Sequence, residues 1–331
     1  MLLLSAEPVL RREFAHSVDF IRTYADRCHH GKEEGLLFPA MAMAKAGLAE
    51  HGGFIDELHA EHVQGRALVQ AMAQAEKVVV QMKWVPQAQF AGYYVAAAKG
   101  YYKAAGLDVT IKPGGPDVSP VQVLAGNQAD AIVNWMPDAL AAREAGVPLV
   151  NIAQIFDKSG LMLTCKKASG VAKPADLKGK TLGVWFGGNE YPFLNWMNKL
   201  GLKTDGTDVT VLKQGFNVDP LLQKQAACVS TMTYNEYWQV IDAGVSPDDL
   251  ITFKYEDEGV ATLEDGLYVM EANLADPAFE DKMVRFVRAS MKGWKEAEAN
   301  PDEAAMIVLE NDATGAQTEG HQKRMMGEIA K

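Results

Sequence analysis

Cysteine, basic runs and long apolar stretches are all scarce in this sequence, and each shortage excludes a class of protein. The three cysteines among 331 residues are Cys28, Cys165 and Cys228. Being odd in number, widely separated and without C-x-x-C spacing, they read as buried thiols rather than as a disulfide framework or zinc site. Lysine and arginine total 32 against 43 acidic residues, for a net charge of −11. With no basic run or stripe, nucleic-acid binding has no electrostatic footprint. No apolar run approaches the roughly 20 residues that a membrane-spanning helix needs. The opening MLLLSAEPVLRRE has three leucines before a proline and charges, too little for the apolar core of an export signal, so the chain as written is expected in the cytoplasm.

What is present divides at about residue 75. Six of the seven histidines precede it: His16, His29, His30, His51, His59 and His62. Residues 11–30 place Phe14, Val18, Ile21, Ala25 and Cys28 on one face of a helix. His29/Glu33 and His30/Glu34 are i,i+4 pairs, and a second helix carries His59 and His62 at i,i+3. Two such helices facing each other could hold a metal as bundle cores do. HHGKEEGLLFPAM followed by LHAEHVQGR resembles the middle helix pair of a hemerythrin-like (HHE cation-binding) domain over about residues 10–72. The resemblance implies an N-terminal α-helical hairpin, half of a four-helix bundle, with iron as the implied metal at His29, His30, Glu33, Glu34, His59 and His62. Both outer helices of that bundle are missing. The uncovered apolar faces therefore imply packing on the remaining chain or self-association through these helices.

From residue 77 strands alternate with helices, which calls for an α/β fold with parallel sheets. VVVQMKW, LDVTIKP, DAIVNW and VPLVNIAQIF read as strands, with FAGYYVAAAKGYYKAAG, VSPVQVLAGNQ and PDALAAREAG as the helices between them. After LMLTCKK and a polar crossover, the alternation restarts at TLGVW, and GLYVMEA returns the chain to the first half. The expected domains are residues 1–75, a helical segment, and 76–331, a two-lobed unit. Its first lobe takes about 77–168 plus 266–331, and its second about 175–262. Two lobes joined by crossing segments make a cleft, and ligands of open α/β sheets sit beyond the carboxyl ends of the strands.

One such end is the run TLGVWFGGNEYPFLNW at 181–196. Leu182, Val184 and Phe186 suit a strand, Gly187 and Gly188 a sharp turn, and Asn189 an N-cap for a helix over 190–200. The turn would offer free backbone N–H groups beside Trp185 and Tyr191, so that a polar or anionic group and a flat ring could be held together.

KWVPQAQFAGYYVAAAKGYYKAAGLDV, LAGNQADAIV, LAAREAGVPLVNIAQ, LKGKTLGVW and GFNVDPLL are similar to the thiamine-pyrimidine precursor family of solute-binding proteins, which includes the fungal pyrimidine synthases. The resemblance covers about residues 77–293. It implies a two-lobed periplasmic-binding-protein (Venus-flytrap) fold that delivers a small planar heterocycle to an ABC transporter permease, and its members are usually periplasmic. Carried over by position, Trp84 matches the ring-stacking tryptophan, and Gly187, Gly188 and Asn189 the glycine-rich loop. Asn217 matches as well. Gln87, Phe90, Trp135, Asp138, Trp185, Tyr234, Asn235 and Glu236 complete the ligand-binding set, grouped at strand ends that face a cleft.

The synthases' histidine and cofactor-holding lysine fall on Asp138 and Asn134, and their cysteine-rich run is VATLEDG here. The expectation is therefore a binding protein that is not an enzyme and requires no cofactor. The alternatives are a synthase-type enzyme of thiamine biosynthesis and an iron- or oxygen-sensing fusion. Acidic residues and no arginine in the pocket favour an amine-bearing ligand over a phosphate.

Overall fold

The computed structural model describes residues 75–315 and 317–331. The hemerythrin-like reading and its six metal-site residues lie outside them. Residues Glu76–Lys331 form one compact unit, built on two five-stranded sheets.

In the first sheet, β1 (Glu76–Gln81), β2 (Leu107–Lys112) and β3 (Ala131–Asn134) run parallel. β4 (Leu149–Ala153) joins them only through β10 (Gly266–Met270), which is antiparallel to both β3 and β4. The helices are α1 (Ala91–Ala98), α2 (Tyr101–Ala104), α3 (Pro120–Ala125) and α4 (Met136–Glu144). The single helix expected before Gly106 is broken at Gly100, whose φ of +73° is a left-handed turn.

The second sheet repeats the plan. β6 (Thr181–Val184), β7 (Thr210–Lys213) and β8 (Cys228–Met232) are parallel. β5 (Leu161–Lys166) lies antiparallel between β8 and β9 (Leu250–Lys254). Its helices are α5 (Tyr191–Lys199), α6 (Asp219–Leu222) and α7 (Glu236–Asp242). The reading of 77–168 as first-lobe sequence is thus corrected at β5: the chain crosses between Ala153 and Leu161, earlier than expected. A strand buried on both faces carries no mark of which sheet it will join.

After β10 come α8 (Pro277–Ala299), α9 (Pro301–Glu310) and α10 (Glu319–Ile329). α8 lies against α1 at a contact that admits only glycine. A Cβ on Gly293 would sit 2.1 Å from the Gly92 carbonyl oxygen, and one on Gly92 would sit 2.2 Å from Trp294 Cγ. Phe286, Tyr93 and Tyr102 stack beside that crossing, with ring centroids 6.2 and 5.3 Å from Phe286. This packing anchors the C-terminal helices to the first sheet.

The buried-thiol expectation is corrected too. Cys165 and Cys228 are buried but joined in a disulfide, because the antiparallel register of β5 and β8 sets them directly opposite each other. A separation of 63 residues hides a pairing that only the sheet creates. Thiol titration of the unfolded, unreduced chain should count one free thiol, from Cys28, and three after reduction. Urea unfolding under reducing conditions should show a loss of about 2–4 kcal/mol; an unchanged midpoint would count against the bond.

Candidate functional site

The carboxyl ends of the parallel strands in both sheets face one cleft, and the lobes are closed on it. Trp84 follows β1, Trp135 follows β3, Trp185 follows β6 and Tyr234 follows β8, each in the short loop before a helix. The cleft between them is nearly shut, with a cavity of about 20 Å³, room for about one water, and its wall also includes Gln87, Asn189 and Glu236. Trp84 meets Trp185 edge-on, with centroids 6.0 Å apart. The other two indole N–H groups are already used: Trp135 donates to Asp265 Oδ1 at 3.1 Å and Trp185 to the Gly215 carbonyl at 2.8 Å. Those rings therefore offer apolar surface to the cleft. Two polar atoms of the wall have no partner, Asn189 Oδ1 and the Tyr234 hydroxyl. Buried groups of this kind carry a desolvation cost until a ligand pairs with them.

The structure does not bring every expected residue to this wall. Phe90 is fully buried in the core, at the end of the short 3-10 turn Ala88–Phe90. Asn217 lies away from the cleft, donating to Asp219 Oδ2 at 3.0 Å at the start of α6. Asn189 does not cap α5, whose N-cap position is Glu190. The glycine turn is not an open anion cradle, since the Gly188 N–H donates to Glu190 Oε2 at 2.8 Å. Glycine is needed there for another reason: φ is +96°, and a Cβ would lie 2.2 Å from Asp138 Cγ on the opposite lobe. Phe186 leaves the strand and stands exposed.

Sequence reasoning passed over three groups that the fold makes central. Lys83, one residue before Trp84, is buried and donates to Asn134 Oδ1 at 2.9 Å and to the Gly187 carbonyl at 2.8 Å, with Asp138 Oδ2 at 3.6 Å. It thereby ties the two lobes together. Burial lowers its pKa, and the charges of Asp138 and Asp265 oppose that shift. Asn134 completes the cluster by donating to Asp138 at 2.8 Å. Met232 lines the cleft beside Glu236. Asp265 accepts from Gln89 Nε2 at 3.1 Å as well as from Trp135. The signals available were weak: a lysine just past an apolar strand, and an Asp-Gly step at the start of β10 whose Asp265 adopts a φ of +49°.

Three carboxyl groups around the cleft and its hinge are buried. Burial raises Glu236 and Asp265 to about 7 and Glu264 to about 8. Each is held by donors: Glu236 by the Met232 N–H and Asn235, Glu264 by Ser159 Oγ and the Gly160 N–H. A carboxyl whose folded pKa is raised binds its proton more tightly in the fold than in the unfolded chain. The stability it contributes is therefore whole below the ordinary carboxylate range, and it is lost as pH rises through about 7 to 8. Thermal melting should fall between about pH 5.5 and pH 8.5, and Glu264→Gln should flatten that fall. A midpoint that rises across this range would contradict the arrangement.

Comparison with known proteins agrees with this geometry. The riboflavin-binding protein RibY of Chloroflexus aurantiacus is 30% identical over 71% of this chain. The match spans 66% of RibY's own length, so this chain covers about two thirds of that relative. The formylaminopyrimidine-binding protein of Halalkalibacterium halodurans is 27% identical over 71% of each chain. The periplasmic aliphatic sulphonate binding protein SsuA from Escherichia coli, 13% identical, superposes over 77% of this chain and 78% of its own with a TM-score of 0.57. That likeness shows the fold to be a two-lobed periplasmic-binding-protein fold. A second family, the Hemerythrin HHE cation binding domain, matches residues 2–103. The last part of that match, from residue 76, is β1 and the first helices of the α/β unit rather than bundle helices. The NMT1/THI5-like profile matches residues 87–304, well over half of the chain, and the chain belongs to the NMT1/THI5-like family.

Proposed function

We propose that the chain is the substrate-binding component of an ABC importer, holding a small planar heterocycle of the thiamine-pyrimidine precursor class by aromatic stacking and lobe closure. The observation that carries this reading is the closed cleft itself. Its aromatic walls come from four loops on two lobes, and its unpartnered polar atoms, Asn189 Oδ1 and the Tyr234 hydroxyl, are two buried groups awaiting a ligand. Each tryptophan offers on the order of 150–250 Å² of surface to bury. A micromolar affinity asks for about 8 kcal/mol, within reach of one or two stacks and a few hydrogen bonds after ordering costs.

Binding without turnover fits the residues at the synthase positions. Asn134 and Asp138 supply neither an imine-forming amine nor an imidazole. Lys83, the amine that is present, is engaged by Asn134, Gly187 and Asp138 and so is not a free nucleophile. The importer reading implies a permease partner that meets the closed form. The Cys165–Cys228 disulfide supports the periplasmic alternative over the cytoplasmic expectation, since such bonds persist in oxidising compartments.

A second reading, an iron-holding N-terminal segment, is favoured by the hemerythrin match. Its ligands would be His29, His30, Glu33, Glu34, His59 and His62. Native mass spectrometry of gently purified full chain weighs the two readings in one spectrum. The importer reading expects a co-purified small organic adduct with the mass of one heterocycle; two iron masses without one would transfer the weight to the N-terminal segment. In calorimetric titration with an aminopyrimidine of the thiamine-precursor class, Trp84→Ala should weaken binding by at least about tenfold, a loss of ~1.4 kcal/mol. Unchanged affinity would remove Trp84 from the site.

A further inference from the structure

His321 is the one histidine outside the N-terminal segment, and it stands at the first turn of α10, where Thr318 Oγ1 accepts from its backbone N–H at 3.3 Å. One side of α10 is apolar and belongs to the core of the first lobe: Met325 and Met326 are buried there, and Gln322 Oε1 accepts from the Ala88 N–H at 2.8 Å. Its other side is polar and reaches α7 on the second lobe. His321 Nε2 lies 2.7 Å from Asn235 Oδ1, Arg324 donates to Asp242 Oδ1 at 2.6 Å, and the Arg324 guanidinium sits over the Trp238 ring at 5.2 Å. Beside this seam a cavity of about 260 Å³ opens between Thr318, His321, Gln239 and Asp242. An apolar anchor on one lobe and a polar seam on the other is the arrangement of a contact that parts when the lobes open.

The seam connects to the cleft through side chains whose orientations constrain one another. Asp265 accepts from Gln89 Nε2 at 3.1 Å, and Gln89 Oε1 in turn accepts from Gln87 Nε2. Gln87 Oε1 accepts from Asn235 Nδ2 at 3.1 Å, and the same Nδ2 donates to Glu236 Oε1 at 2.8 Å. With its amide nitrogen committed to the cleft, Asn235 turns its oxygen toward α10. His321 must therefore present a proton on Nε2. Gln239 Nε2 is the other donor to that oxygen, at 3.2 Å. The second ring nitrogen, Nδ1, faces Asp242 at 3.6 Å, whose charge Arg324 takes up. Donors and acceptors thus run in one direction, from His321 through Asn235, Gln87 and Gln89 to Asp265. The link from Asn235 to Gln87 crosses from the second lobe to the first.

We propose that His321 is a positioning residue of the ligand cleft. By donating to Asn235 from the C-terminal helix, it holds Gln87 and Glu236 in the arrangement that closes on a ligand, and it holds α7 against α10 while the lobes are shut. The proposal rests on the reading of this cleft as the ligand site, so its test has one arm that needs no ligand.

Full-length wild type, His321→Leu and His321→Gln are compared, the last keeping an amide N–H donor at similar reach. In ligand-free protein, hydrogen–deuterium exchange of the α7 amides should quicken by about tenfold or more in His321→Leu and return toward wild type in His321→Gln, with α8 unchanged in both. In titrations with the aminopyrimidine, and with riboflavin as a second probe, His321→Leu should bind about tenfold more weakly and His321→Gln within about threefold of wild type. Unchanged α7 exchange in His321→Leu, or a glutamine variant as impaired as the leucine one, overturns the proposal. Should wild type bind neither probe, the ligand class fails, and the exchange arm alone decides the role of His321.

Discussion

The cleft depends on the cost of burying polar groups. Lys83, Asn134, Gln87, Gln89, Asn235, Glu236 and Asp265 are all removed from solvent where the lobes meet, and each would destabilise that junction without a partner. The partners come from the opposing lobe at the two points that matter most. Lys83 reaches across to the Gly187 carbonyl, and Asn235 reaches back to Gln87. Closure is thereby tied to satisfaction of the buried polar groups. In the cleft wall two buried polar atoms are still without a partner, Asn189 Oδ1 and the Tyr234 hydroxyl.

The exchange of strands between the sheets supplies the geometry for this closure. β5 leaves the first half of the chain to enter the second sheet, and β10 returns from the second half to enter the first, so two segments cross between the lobes. Glu264 pins one crossing to the other through Ser159 Oγ at 2.5 Å and the Gly160 N–H at 3.2 Å. The next residue, Asp265, holds the Trp135 indole in the cleft wall. Adjacent residues thus hold the crossing segments and the cleft wall.

Much of the fold was legible from periodicity and punctuation. The strand-helix alternation after residue 77 and its restart at Thr181 rest on local signals that the folded chain keeps, whereas the return of GLYVMEA to the first sheet is a long-range pairing with β3 and β4. The aromatic wall was legible for the same reason: a residue just past a parallel strand has little choice but to face the cleft, and Trp84, Trp135, Trp185 and Tyr234 do so. Where local and distant demands diverge, reading by position failed. Asn217 satisfies its own turn, and the Gly188 N–H is claimed by Glu190 two residues on. Phe90 ends a short turn and is buried in the core. Lys83 looked like an ordinary strand-end lysine because its partners come from two distant segments, residues 134–138 and Gly187.

The sequence by itself determined that the chain from residue 77 would build paired α/β units with their loops at strand ends, since hydrophobic period, glycine breaks and proline-marked helix starts act over a few residues. Tertiary structure alone decided which sheet β5 joins, that Cys165 faces Cys228, that Lys83 latches one lobe to the other, and that the lone late histidine on α10 meets Asn235 of the second lobe. Each of these is a pairing between groups far apart in the chain. Its free energy exists only once both sheets have formed and water has been excluded between them.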